Sequence, residues 1–318
     1  MNMYLIVTID VEEDNWGQYE VLNPSVSNVK RLPELQELCN RFGIKPTYMI
    51  TYPVAANREA IFSLRKIQDG GKCEIAAQLH PWNTPPFEEE INSRNSMLCN
   101  LPKELQYKKI ESLHAKIYEN FKIEPLSFRS GRWAYDQNVA QNIYKLNYKI
   151  DSSVTPFTDW SHCHGPDYSG YFPMAYKDFV NNPGNDDTYI YEVPATIGFH
   201  QSNFNFCKNI DNLFNNKFFN NFHIRGLIDK LHIVNKIWLS PEISDERKMI
   251  QLTNSMRKNQ YKFINMFFHS PTLTEGLTPF VKTQEEEKRF MARIEKFFEY
   301  LSVSNIRPII LSEMLNFF

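Results

Sequence analysis

Short apolar runs alternate along the chain with longer stretches in which apolar residues recur every third or fourth position. The run Tyr4–Ile9 predicts a strand. Val29, Leu32, Leu35, Leu38, Cys39 and Phe42 then share one helical face, and Gly43 ends that helix. Thr47–Thr51 predicts a second strand, followed by one helix from about Val54 to Asp69 and a turn at Asp69-Gly70-Gly71. Further strands are predicted at Cys73–Leu79, Pro125–Arg129, Tyr148–Asp151, Tyr189–Val193, Phe263–Phe268 and Arg307–Leu311, the last followed by a short terminal helix. Helical spacing marks Lys103–Phe121, Gln137–Leu146 and Glu285–Leu301. The last of these carries Phe290, Ile294, Phe297, Phe298 and Leu301 on one side.

Alternation of strand and helix implies parallel strands joined by crossover helices. Six or seven such units fit a closed or nearly closed barrel better than an open sheet, which would expose its first and last strands. The expected fold is therefore an α/β single domain over 1–318, a distorted barrel of about seven strand–helix units. An irregular insertion rich in Asn, Phe and Tyr, at about 156–239, breaks the rhythm and is expected to cap one face. In such a barrel, chemistry collects at the carboxyl ends of the strands.

Composition narrows the picture. With 318 residues the chain can bury a large core without disulfides. A net charge of -2 supplies no excess of positive charge for a phosphate backbone, which argues against a nucleic-acid partner. No apolar stretch approaches the ~20 residues of a membrane span. The Tyr4–Val7 run lacks the basic flank and cleavage site of a signal peptide. The five cysteines are odd in number and widely spaced, as expected of reduced thiols in a cytoplasmic protein.

The informative polar residues sit where predicted strands end. The first strand runs into Asp10-Val11-Glu12-Glu13-Asp14, where four carboxylates repel one another and call for a cation or shifted pKa values. Alternation places Asp10, Glu12 and Asp14 on one side and Glu13 on the other. Gln78 and His80 share a face at the end of the third strand, where Pro81 stops it. Trp82 and Thr84-Pro85-Pro86-Phe87 then form a rigid apolar loop suited to a sugar ring. Arg129, before Ser130-Gly131-Arg132-Trp133, can orient a carboxylate by a bidentate contact. His269 follows the late strand, a good place for an acid or base near neutral pH. His162-Cys163-His164 has no second pair to complete a zinc site. His200, His223 and His232 read as ordinary residues.

This ordered set resembles the NodB-homology polysaccharide deacetylases (carbohydrate esterase family 4), in particular the WalW-like subgroup found with surface-polysaccharide genes. The carriers are Thr8 to Asp14, Glu74-Ile75 leading to Leu79-His80-Pro81-Trp82, and Phe128 to Arg132. Asp151 to Pro156, Glu192 to Phe199 and Phe268-His269-Ser270-Pro271 complete the set, which covers nearly the whole chain. The resemblance implies removal of an acetyl group from an acetylated sugar or glycan in O-antigen or capsule synthesis, assisted by a divalent metal (zinc, nickel or cobalt). It implies Asp10 as general base, Arg129 as its holder and His269 as proton donor or oxyanion partner. Glu12 and His80 would bind the metal, with Asp14 in reserve for Glu12, and Trp82, Arg132 and Trp133 would contact the sugar. The second motif departs from the family, because Gln78 and Trp82 stand where it has histidines. Two other readings stay open: a metal-independent amide hydrolase of the same superfamily, and a sugar-binding or scaffold protein that has lost catalysis.

Overall fold

The computed structural model describes residues 3–19, 24–180, 188–215 and 235–317. His223, His232 and the Asn-rich positions 216–221 lie outside the described residues. Seven parallel strands run side by side in the order β10 (Phe263–His269), β1 (Met3–Val11), β2 (Thr47–Ile50), β3 (Glu74–Leu79), β4 (Ser127–Ser130), β5 (Ile150–Asp151) and β7 (Tyr189–Glu192). Strand β6 (Tyr176–Phe179) adds antiparallel to β7, and β11 (Ile306–Pro308) pairs with the start of β1. A separate antiparallel pair, β8 (Ile197–Phe199) with β9 (Lys236–Trp238), comes from the region expected to be irregular.

The sheet curls back on itself. After β7 the chain crosses to β10, where the Thr196 N–H donates to the Asn265 carbonyl at 3.1 Å. The Phe267 N–H donates to the Leu239 carbonyl at 3.1 Å. Hydrogen bonds from segments that follow β7 and β9 therefore reach β10, at the other end of the parallel run. The seven strands agree with the barrel of about seven units read from the sequence.

Strand parity divides the interior into two. Leu5, Val7, Ile9 and Val11 face the helices in the large core, as do Tyr48, Ile50, Ile75, Ala77 and Leu79. Ile6, Met49, Ala76 and Ile150, one position out of phase, form a second apolar cluster with Tyr191, Leu311 and Met314. Successive strand residues point to opposite faces, so this second cluster fills the inside of the curled sheet at its amino end. The same inner face continues upward as Thr8, Asp10, Gln78, Arg129, Ser152 and Asn265, all buried. The apolar filling thus ends partway along the strands, and a polar layer begins.

The helices follow their apolar spacing, with two differences. The stretch expected as one helix is two, α2 (Tyr52–Ala56) and α3 (Arg58–Asp69). Asn57 between them is extended, and its side chain accepts the Ala60 N–H, so it caps α3 and breaks the run. Helix α1 is shorter than expected, Leu32–Arg41, because Ser27–Arg31 winds as a 3₁₀ turn and Pro33 starts the α-helix. Helices α4 (Lys103–Phe121) and α5 (Gln137–Lys145) match expectation closely. A helix not anticipated, α7 (Glu246–Lys258), is capped by Asp245. It follows α6 (Phe204–Asn215) and precedes α8 (Gln284–Ser302), which buries the five apolar residues read from its spacing. The last strand is β11 at Ile306–Pro308, and Leu311–Phe317 is a 3₁₀ turn that plugs the inner cluster.

On the outer face of β5 and β7, Asp151 and Glu192 oppose each other in register and are fully buried. Burial pushes Asp151 up to about 7. Burial and the neighbouring Asp151 push Glu192 well above the carboxylate range. The folded chain therefore holds protons here that the unfolded chain releases above pH ~4. The stability they bring is complete at low pH; the share of Asp151 is lost as pH rises to about 7, and that of Glu192 goes on falling above it. Thermal midpoints across that range should fall for the native chain. Glu192→Gln should flatten the fall and stabilise the fold at pH 8 by on the order of 1 kcal/mol.

Candidate active site

The site is built around an arginine that water cannot reach. Arg129, on β4, is 1% exposed and must find partners inside the barrel. Its Nη1 meets Asp10 Oδ1 at 2.5 Å, across the interior from β1. Its Nη2 donates to Thr8 Oγ1 at 2.8 Å and Ser152 Oγ at 3.0 Å, and its Nε donates to the Ser152 carbonyl at 2.8 Å. Asn265 ties the same group together, accepting from Thr8 and donating to Ser152 Oγ. Three strands are thus fixed to one guanidinium.

Asp10 has a second neighbour. His269 Nε2, in register with it on β10, lies 3.7 Å from Asp10 Oδ2. The other ring nitrogen of His269 meets Glu242 at 3.0 Å, and Glu242 also accepts the His269 N–H and the Thr272 hydroxyl. Burial would lower His269, but Glu242, Glu12 and Asp10 outweigh it and raise its pKa to about 10. The ring is an imidazolium at neutral pH. Glu242 falls in no predicted element, and no sequence pattern around it marks it.

Past the end of β1 the period-two alternation fails, and with it two expectations. Glu13 turns inward, where His80 Nδ1 meets it at 2.9 Å and the Trp82 indole N–H donates to it at 3.0 Å. Asp14 turns away from the site. Its carboxylate accepts from Ser25, Ser27 and Asn28, capping the 3₁₀ turn before α1, so it is no reserve ligand. Glu12 stays inside: His80 Nε2 lies 3.3 Å from it and the Gln78 amide donates to it at 3.3 Å. Burial, opposed by His269 and His80, pushes the Glu12 pKa up to about 7. Burial would raise Glu13 as well, but His80 and Trp82 hold its carboxyl below the usual range.

His80 therefore sits between two carboxylates, with its ring stacked on Trp82 at 4.2 Å. The sequence behind it requires a glycine. A Cβ on Gly131 would come within 2.2 Å of the His80 ring and 2.7 Å of the Leu79 carbonyl. The next two residues, Arg132 (φ 56°) and Trp133 (φ 62°), are both left-handed. Such backbone costs ~1–3 kcal/mol per non-glycine residue and concentrates at functional sites.

These groups floor a cavity of about 350 Å³. All eight residues predicted for the site line it: Asp10, Glu12, His80, Trp82, Arg129, Arg132, Trp133 and His269. So do all five tryptophans of the chain, since Trp16, Trp160 and Trp238 join Trp82 and Trp133. Trp16 lies edge-on to His269 at 4.7 Å. Arg132 is engaged at the rim, donating to Tyr19 Oη at 2.9 Å and to Ser96 Oγ. The Thr84–Phe87 loop, read as a sugar contact, lies elsewhere. The buried Lys109 ammonium holds it through the carbonyls of Pro81, Thr84 and Pro86. Pro85 and Phe87 line a different cavity, with Ser25 and Tyr52.

The donor set does not fit the divalent metal implied by the sequence motifs. Trp82, at a histidine's position, offers only an N–H, and that bond is spent on Glu13. His80 has a carboxylate at each nitrogen, and Gln78 is a neutral amide. Among the described residues no three His, Cys, Asp or Glu side chains are placed to hold a metal ion.

Comparison with solved structures shows the fold to be that of polysaccharide deacetylases. A protein from Mycobacterium smegmatis classed as a polysaccharide deacetylase superposes with a TM-score of 0.57 at 12% identity, covering 100% of this chain and 91% of that one. One of the same class from Pseudomonas aeruginosa PAO1 gives 0.53 at 12% identity, covering 99% and 90%. The allantoinase Puue gives 0.51 at 11% identity, covering 99% and 89%. No protein-family model matches the chain, and no curated protein matches it in sequence.

Dialysis against micromolar zinc, nickel or cobalt, followed by mass spectrometry, should leave the purified protein with well under one metal equivalent. A stoichiometric ion lost in His80→Ala would contradict this account of the donor set.

Proposed function

We propose that the protein hydrolyses an acetyl group from an acetylated sugar, with Asp10, Arg129 and His269 as its working residues. The supporting observation is the placement of Asp10 between Arg129 and His269 on the floor of a tryptophan-lined cavity. Asp10 Oδ2, left open by Arg129, takes a proton from water as its oxygen attacks the acetyl carbonyl carbon. Arg129 fixes the carboxylate for that transfer. The new C–O bond leaves a negative oxygen, which the His269 imidazolium stabilises. His269 then donates its Nε2 proton to the sugar nitrogen or oxygen as the bond to the acetyl carbon breaks, releasing acetate. Glu242 keeps that ring charged and oriented. Trp82, Trp133 and Arg132 contact the sugar, as flat apolar faces with a polar edge suit a pyranose.

In this reading Glu12 and His80 shape the field of the site and hold no metal. The metal-independent form is favoured by the spent donor set around Gln78 and Trp82. The resemblance of the motifs to the WalW-like subgroup supports a place in O-antigen or capsule synthesis. The five cysteines, all free, support a cytoplasmic setting.

Asp10→Asn should lower acetate release by about 10²–10⁴-fold while sugar binding persists; unchanged turnover would falsify the assignment. The pH profile of kcat/KM should carry an alkaline limb. It should fall through about 10, where His269 loses the proton it donates. His269→Gln should remove the alkaline limb.

A further inference from the structure

The residues leaving β1 do more than end a strand. Asp14 is pinned beneath by Ser25, Ser27 and Asn28. From there the chain rises through Asn15 and Trp16, turns at an exposed Gly17 (φ +75°) and Gln18, and descends to Tyr19. Trp16 stands on one side, against His269 at 4.7 Å and Phe280 at 5.5 Å. Tyr19 stands on the other, against Trp82 at 5.1 Å, with Arg132 bonded to its hydroxyl. Arg132 also reaches Ser96 and the Ser93 carbonyl, joining a second loop to the same rim. The far wall is Trp160 against Trp238, at 6.2 Å between ring centres, with the Trp160 indole held by Thr155.

A polymer lying across a site must enter on one side and leave on another. Here Trp16 lies against His269, Tyr19 against Trp82 and Trp160 against Trp238, and residues 15–19 line the cavity together with the floor groups. The cavity, about 350 Å³, is at the small end of ligand pockets, which span ~300–1,000 Å³. We propose that the site takes a single acetylated sugar by its free end, as the terminal residue of a glycan or a sugar on a carrier, and not an internal unit of a polymer. This rests on the hydrolase reading only for the acetyl group; the geometry of entry stands apart from the chemistry.

Because every tryptophan lines the cavity, intrinsic fluorescence reports its occupancy. The probes are methyl glycosides of N-acetylglucosamine, N-acetylgalactosamine and an O-acetylated glucose, each compared with its pentasaccharide. For the sugar that quenches, the single unit and the pentasaccharide should bind within about threefold of each other. An affinity growing tenfold or more with length would overturn the proposal, as would the absence of quenching by every probe. The double variant Trp16→Gly, Tyr19→Gly should restore a dependence on length. Acetate release is read in the same samples. Length-independent binding without release in the native chain would sink the hydrolase reading and leave end-on entry standing. In any pentasaccharide that is cleaved, mass spectrometry should find the lost acetyl on the terminal unit, and loss from internal units would overturn the proposal.

Discussion

A guanidinium sealed from water must be neutralised where it stands, and much of this structure follows from how Arg129 is neutralised. Asp10 meets it from β1, three strands away around the curled sheet, so the ion pair crosses the interior. Removing one member of such a pair leaves the other charged and buried, at a cost of ~3–5 kcal/mol. The remaining donors of Arg129 are satisfied by Thr8 and Ser152, which is why the barrel lining turns polar above Ile6 and Ile150. The same contact that ties β4 to β1 across the interior holds Asp10 with one oxygen fixed and the other facing His269. Stability and the orientation of the proposed base are one interaction.

Around that pair, carboxylates and imidazoles alternate. Glu242 holds His269, and Glu13 and Glu12 flank His80. Each imidazole gains charge from its carboxylates, and each carboxylate is made tolerable in a buried place by an imidazole or an indole N–H. The result is a site that balances four acidic groups internally. That balance takes up the ring nitrogens of His80 and the indole of Trp82, leaving too few free donors for a metal. The fold shared with polysaccharide deacetylases here carries an internally balanced acidic centre.

The aromatic wall has a separate origin. The five tryptophans come from the segments after β1, β3 and β4, from the Trp160 loop and from β9. Parallel strands place all their carboxyl ends on one side of the sheet, so loops remote in sequence converge there. Such convergence lines the cavity with tryptophan.

Some of this was written in the chain. Within β1, β3 and β10, a strand has only two faces, so Asp10 with Thr8, Gln78 with His80, and the position of His269 at a strand end were legible from alternation and from apolar runs. The five buried residues of α8 were legible for the same kind of reason, a fixed helical period. The tertiary structure decided the rest. Asp10 and Arg129 are 119 residues apart, and their meeting depends on the curvature of the sheet. Glu13 faces the site because the chain leaves the strand at Val11, where period two no longer governs. Asn57 divided a helix because its side chain found the Ala60 N–H, a choice that apolar spacing does not encode. Glu242 reaches His269 from a turn with no periodic pattern. Local periodicity determines which way a side chain points within an element; only the curl of the sheet determines what it meets there.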